Sequence, residues 1–202
     1  MLIILTLSSF VESIKSIDTS VVLWINGHNS PALDAIMMAA SDTYTWIPLY
    51  AMMAFLLVKK YGKASWLPII FVVLAIVISD QCSVHFAKDI FMRYRPTHNL
   101  LLQDQLHIVD DYRGGLYGFV SSHAANTVSF TTIILSLLRK KYIAAVLFFY
   151  ILIVCYSRMY LGVHYPTDIL GGMILGFIAG SLAYWLYRLA DKAINDRQAA
   201  QN

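Results

Sequence analysis

His164 and Asp168 stand four residues apart, close enough for the carboxylate to reach the imidazole and fix its tautomer. An imidazole held that way serves as a nucleophile or a base. Arg158 lies in the same run, 157–168 (SRMYLGVHYPTD), and its planar guanidinium suits an oxyanion. A second run, Val120-Ser121-Ser122-His123, follows Gly114, Gly115 and Gly118 and reads as the opening of a helix. Free N–H groups at a helix start attract an anion. Ser121 fits the N-cap, and His123 falls in the first turn. A third run, 88–96 (KDIFMRYRP), closes another helical stretch, with Lys88 and Arg95 about two turns apart and so on one face if the helix continues. Each run alone has a plain structural explanation: a histidine–aspartate tie, a polar interface histidine, or cations anchored among lipid head groups.

Together the three runs supply three cations, a helix N-terminus, two histidines and a carboxylate. That set suits phosphoryl transfer. Cations and N–H groups neutralise the equatorial oxygens, one histidine attacks in line, and the other protonates the leaving oxygen. Arginine and lysine can do the neutralising without a metal, and the carboxylate-rich cluster of a magnesium site is missing from the sequence. The expected cofactor set is none.

The elements that must bring these runs together are set by a shortage of charge. The 202 residues carry 15 basic and 12 acidic side chains, 13% of the total, against roughly 25% in an ordinary soluble domain. Mean hydropathy is +0.62. A soluble fold of this size cannot hide so much apolar surface, and a disordered chain would be more polar. Five windows, 43–58, 64–79, 114–138, 142–157 and 169–187, contain no Asp, Glu, Lys or Arg. A spanning helix needs about 20 mostly apolar residues. The expectation is an all-α integral-membrane bundle with five clear spans near 40–60, 63–88, 121–139, 141–158 and 167–188. Trp46, Trp66 and Trp185 fall near span ends, where aromatic belts form.

Nine basic residues fix the orientation: Lys59, Lys60 and Lys63; Arg139, Lys140 and Lys141; Arg188, Lys192 and Arg197. They share one side, which should be cytoplasmic. All three chemical runs then lie on the opposite, outer side. Phe10, Ile14, Ile17, Val21 and Trp24 recur at helical spacing, with Glu12, Lys15 and Asp18 on other faces, so residues 1–30 read as a helix lying on the outer interface. A sixth span over 1–25 would have to bury those three charges. Ser30-Pro31 reads as a cap and first position of a short helix. The chain is one domain: interfacial helix 1–30, bundle 31–190, cytoplasmic tail 191–202. Cys82 and Cys155 read as apolar fillers, and the basic residues are too dispersed for a nucleic-acid surface. Asp80, inside a span, is a functional candidate or a hydrogen bond to another helix.

The chain resembles the type-2 phosphatidic acid phosphatase superfamily of integral-membrane lipid phosphatases. Its signature is K-x6-R-P, then P-S-G-H, then S-R-x5-H-x3-D. The first and third motifs match completely at 88–96 and 157–168; in the second, Val120 replaces proline and Ser122 replaces glycine. The resemblance implies that His164 is the nucleophile and forms a phosphohistidine, that Asp168 orients it, and that His123 is the general acid. It implies that Lys88, Arg95, Ser121, Ser122 and Arg158 bind the phosphate. The Ser122 side chain either crowds the phosphate or adds a donor. The implied partner is a lipid phosphate or diphosphate in the bilayer: undecaprenyl diphosphate, phosphatidylglycerophosphate, phosphatidate or lipid A. The compact domain suggests a bacterial cytoplasmic membrane with the site facing the periplasm or exterior. The rival class is a non-enzymatic protein that binds or transports an anionic lipid with the same cations.

Overall fold

The computed structural model describes the backbone of residues 2–201 and the side chains of 9–85 and 90–199. Eight α-helices follow in order: α1 (Leu2–Gly27), α2 (Pro31–Ser41), α3 (Ile47–Tyr61), α4 (Trp66–Gln81), α5 (Lys88–Phe91), α6 (Ser122–Leu138), α7 (Lys141–Tyr160) and α8 (Pro166–Gln201). Among the described residues there is no strand, only an isolated antiparallel bridge between Tyr94 and Tyr117.

Helix α6 is the central post, and its neighbours reveal their directions through it. Tyr50 of α3 packs edge-on against Phe130, and Tyr61, eleven residues later, reaches the Leu137 carbonyl. Helix α4 runs the other way, since Ala75 accepts from Ser129 and Asp80 from Asn126. The reversal between α3 and α4 occurs at Gly62, whose φ of +55° favours a residue without a Cβ. Helix α7 returns from Lys141, and α8 runs parallel to α6. Gly172, Gly176 and Gly180 bring those two backbones together: a Cβ on Gly180 would sit 2.6 Å from the Ser129 carbonyl oxygen. The core between α3, α4, α6, α7 and α8 is built on Leu57, Ile133, Ile134, Leu137 and Leu147.

Among the described residues, three helical segments are long and apolar enough to cross a bilayer: Thr43–His85, Lys141–Tyr160 and Pro166–Ala199. The sequence led to an expectation of five spans. The difference has two sources. Thr43–His85 is folded back on itself at Gly62, so it holds both α3 and α4. Helix α6 has 17 residues rich in Ser and Thr, and the surrounding helices bury most of its length. Apolar side chains such as Phe55, Ile70, Phe149, Ile174 and Phe177 face outward from the bundle, as a lipid-embedded protein requires. The chain is a membrane protein.

Two local readings need correcting. The helix carrying Lys88 does not continue to Arg95. After Gln81 the backbone widens into a π-helical turn, Cys82–Ala87, and the last helical residue is Phe91. Arg95 therefore sits on an extended segment, with its N–H on the Leu116 carbonyl. The second correction concerns α1. Its amphipathic spacing put Asp18 with Glu12 and Lys15 on a polar face, yet Asp18 is buried. Asn26, at the end of the same helix, donates to the carbonyls of His107 and Tyr160 and accepts from the His107 N–H. Ser30 and Pro31 cap and open α2 as expected, with the Leu33 N–H on Ser30 Oγ. Asp34 of α2 then holds both His107 and the Tyr160 hydroxyl. These ties bolt α1 and α2 to the loop that carries His107 and to the end of α7.

Candidate active site

The starts of α6 and α8 lie side by side at one end of the bundle. Pro166 opens α8, Ser121 caps α6, and the Ser121 N–H donates to the Asp168 carbonyl at 3.0 Å. His164 precedes α8 in the tight connection from α7. Its Nδ1 faces Asp168 Oδ2 at 3.5 Å, and both residues are buried, at 1% and 0% exposure. Asp168 Oδ2 also accepts from the Tyr165 N–H. The Nδ1 edge of the ring is thus the one turned to the carboxylate.

Gly118 makes this packing possible. A Cβ there would lie 2.8 Å from Asp168 Oδ2 and 3.6 Å from His164 Nδ1. The loop backbone is a wall of the site because that position carries no side chain. Its N–H donates to the Arg93 carbonyl, which aligns 93–95 beside 116–118.

Two guanidiniums come from different elements of the fold, Arg158 from α7 and Arg95 from the segment after α5. Arg158, on the last turn of α7, is 1% exposed. It donates to Ser41 Oγ through Nη1 and to the Tyr112 hydroxyl through Nη2, and its Nε has no hydrogen-bond partner among the described residues. Arg95 donates through Nε to the Tyr117 carbonyl, while its Nη1 is buried without a partner among the described residues. Burial and then the nearby Arg158 charge pull the Arg95 pKa down to about 10. Neither arginine forms a salt bridge among the described residues. Two buried cations held only by neutral oxygens are costly alone and are stabilised by an anion between them.

His123, the second residue of α6, hydrogen-bonds the Ser41 backbone. Ser121 Oγ accepts the Ala124 N–H as the cap, and Ser122 begins the helix. The structure thus gathers Arg95, Ser121, Ser122, His123, Arg158, His164 and Asp168 at one place. The Lys88 side chain lies outside the described residues. No three His, Cys, Asp or Glu side chains converge as a metal ligand set among the described residues.

Two participants were not found by sequence reasoning. Arg93 donates through Nη1 to Asp168 Oδ1 at 2.9 Å and to Thr167 Oγ1 at 2.6 Å, and through Nη2 to Asp18 Oδ2 at 2.6 Å. Its guanidinium carbon lies 4.0 Å from the Tyr165 ring centre. Asp18 in turn accepts the Thr167 N–H at 3.0 Å and the Thr167 hydroxyl, capping α8 from a helix 149 positions away. The signal available was an acidic residue on an otherwise amphipathic helix and an unassigned arginine inside K-x6-R-P. Nothing in the sequence paired them.

The PAP2 superfamily model matches residues 68–192, which include all three motifs. The chain is 35% identical to the lipid A 4'-phosphatase of Porphyromonas gingivalis over 89% of its own length and 77% of that protein. It is 33% identical to the lipid A 4'-phosphatase of Bacteroides thetaiotaomicron, over 87% and 79% of the two chains. Among solved structures it is similar to LpxE of Aquifex aeolicus, with a TM-score of 0.65 and 26% identity over 83% of this chain and 94% of that one.

Proposed function

The chain belongs to the PAP2 superfamily, and from that membership we propose that it removes phosphate from a lipid A-type sugar phosphate at the membrane surface through a phosphohistidine. The observation that carries this reading is the pair of buried, carboxylate-free guanidiniums, Arg95 and Arg158, beside the His164–Asp168 couple. The lipid A 4'-phosphatases among its relatives support the choice of substrate.

In the proposed reaction the phosphate sits between Arg95 and Arg158, with N–H groups at the start of α6 and the Ser121 and Ser122 hydroxyls around its oxygens. Lys88 contributes a third cation. His164 Nε2 attacks phosphorus, the bond from phosphorus to the sugar oxygen breaks, and His123 gives its proton to that oxygen. Asp168 stabilises the charged imidazole ring as the N–P bond forms. His123, now neutral, takes a proton from water. The resulting hydroxide attacks phosphorus, the N–P bond breaks, and inorganic phosphate leaves. No metal or cofactor is required by these steps.

The proposed placement follows the basic residues. Helices α3, α4, α6, α7 and α8 cross the bilayer, with α1 on the outer interface, the 31–190 bundle between, and residues 191–202 in the cytoplasm. The site then faces the periplasm or exterior. Phosphate release from a lipid A-type phosphate by the purified protein tests the function. Absence of release from it, and from phosphatidate and undecaprenyl diphosphate, would sink the enzymatic reading.

A further inference from the structure

A cavity of about 270 Å³ opens beside His123 and runs down between α2, α3, α4, α6 and α7. His123 and Ser122 line its upper end, while His164 does not line it. Phe130, seven residues further along α6, lines its floor, so it extends about 10 Å along that helix. In an in-line displacement the leaving group departs on the face opposite the nucleophile. This cavity is on the general acid's side, where that group must go.

Its walls are of two kinds. Asp80 and Asn126 form a polar shelf: Asn126 Nδ2 donates to Asp80 Oδ1 at 3.0 Å, and Asn126 Oδ1 is buried without a partner among the described residues. Below the shelf lie Trp46, Tyr50, Phe130 and Tyr150, with the two tyrosine hydroxyls 2.7 Å apart. An acyl or prenyl chain alone would leave the Asp80 carboxylate and the Asn126 amide facing hydrocarbon, which is unfavourable. A diphosphate substrate would bring a second phosphate, still attached to its leaving lipid, toward the Asp80 charge. A sugar ring meets both walls, with hydroxyls for the shelf and C–H faces for the aromatic rings.

We infer that the Asp80–Asn126 shelf is the subsite for the leaving sugar alcohol, and that it selects a sugar phosphomonoester over a lipid diphosphate. This inference rests on the proposed roles of His164 and His123. Sequence reasoning left Asp80 between a functional residue and a helix-to-helix hydrogen bond. The tie to Asn126 exists, and the cavity gives it a use.

The test compares kcat/KM for a lipid A-type disaccharide 4'-phosphate and for undecaprenyl diphosphate. Wild-type protein is expected to favour the sugar phosphate. Asp80→Ala and Asn126→Ala, checked for folding by thermal unfolding, are expected to lower that preference about tenfold or more, since the lost contacts are those of a hydroxyl-binding site. Asp80→Asn is expected to raise relative turnover of the diphosphate. A wild-type preference for the diphosphate, or variants that slow both substrates in proportion, would overturn the assignment. A second arm needs no turnover. The dephosphorylated lipid disaccharide is titrated into His164→Ala, and the Trp46 fluorescence change is read against the same protein with Trp46→Phe. A change that disappears with Asp80→Ala supports the subsite even if no lipid phosphate is hydrolysed; no Asp80-dependent change overturns it.

Discussion

Arg93 holds Asp18 at 2.6 Å and Asp168 at 2.9 Å, so a single guanidinium joins α1 to the carboxylate that faces His164. It occupies Asp168 Oδ1 and leaves Oδ2 for the histidine and the Tyr165 N–H. The carboxylate is therefore aimed by contacts from a helix remote in sequence.

Breaking this ladder is expected to damage both stability and turnover. Asp18 is almost fully buried, so Asp18→Ala leaves Arg93 Nη2 and the Thr167 N–H without their acceptor, at a cost of about 3 kcal/mol of stability. Arg93→Ala should lower kcat more than it raises KM, because it disturbs Asp168 rather than the phosphate contacts. Arg93→Lys should recover part of the stability but less of kcat, since an ammonium cannot serve Asp18, Thr167 and Asp168 with one plane. Urea or thermal unfolding alongside steady-state kinetics checks both. Equal losses in the Lys and Ala variants would argue against the aiming role.

His164→Ala should abolish turnover, by about 10³-fold or more, with the fold retained. His123→Ala should cost about 10²- to 10⁴-fold on a sugar phosphate. The His123 loss should be much smaller with p-nitrophenyl phosphate, whose leaving oxygen needs no proton. Activity should survive a chelator in every case. A chelator-sensitive wild type would point to a metal in the reaction.

If Arg95 holds the phosphate as proposed, its lowered pKa of about 10 sets a basic limit to phosphate capture. Its guanidinium is charged below that pH and loses its proton as pH rises through it. In the free enzyme kcat/KM should therefore fall above about pH 10, through KM more than kcat. Bound phosphate stabilises the charged form and should move the limit upward in the complex. A pH profile of kcat and kcat/KM measured separately tests this, and a flat kcat/KM up to pH 11 would contradict it.

Gly118→Ala is expected to slow the reaction with little loss of secondary structure. The added methyl would press on Asp168 Oδ2 and Arg95 Cγ, so the carboxylate must shift from its place beside His164. Circular dichroism and kcat together check it; unchanged kcat would mean the loop yields instead.

Much of the site was legible in the sequence because its parts are local. The i, i+4 spacing of His164 and Asp168, the cap at Ser121 and the glycines before it each declare their geometry within a few residues. Asp18 was not legible. Its helix period matches a polar face, and only the fold reveals that this point of the face meets Arg93 and the start of α8. The Lys88–Arg95 relationship misled for a different reason: a π-helical turn and an early helix end carry no strong compositional mark. The five-span expectation met a similar limit at α6, where burial by neighbouring helices replaces the apolarity that a lipid-facing helix would need. The cavity below His123 is built from five helices, and no single stretch of chain announces it.

The close contacts of Gly172, Gly176 and Gly180 with α6 have one more consequence. They index α8 against α6 at every turn, much as teeth fix a rack, so His123 at the start of α6 and Asp168 at the start of α8 keep one register. In the proposed reaction, the span a phosphoryl group must bridge is then set by helix packing. Inserting one residue between Asp168 and Gly172 is therefore expected to put the two histidines out of step while leaving each intact.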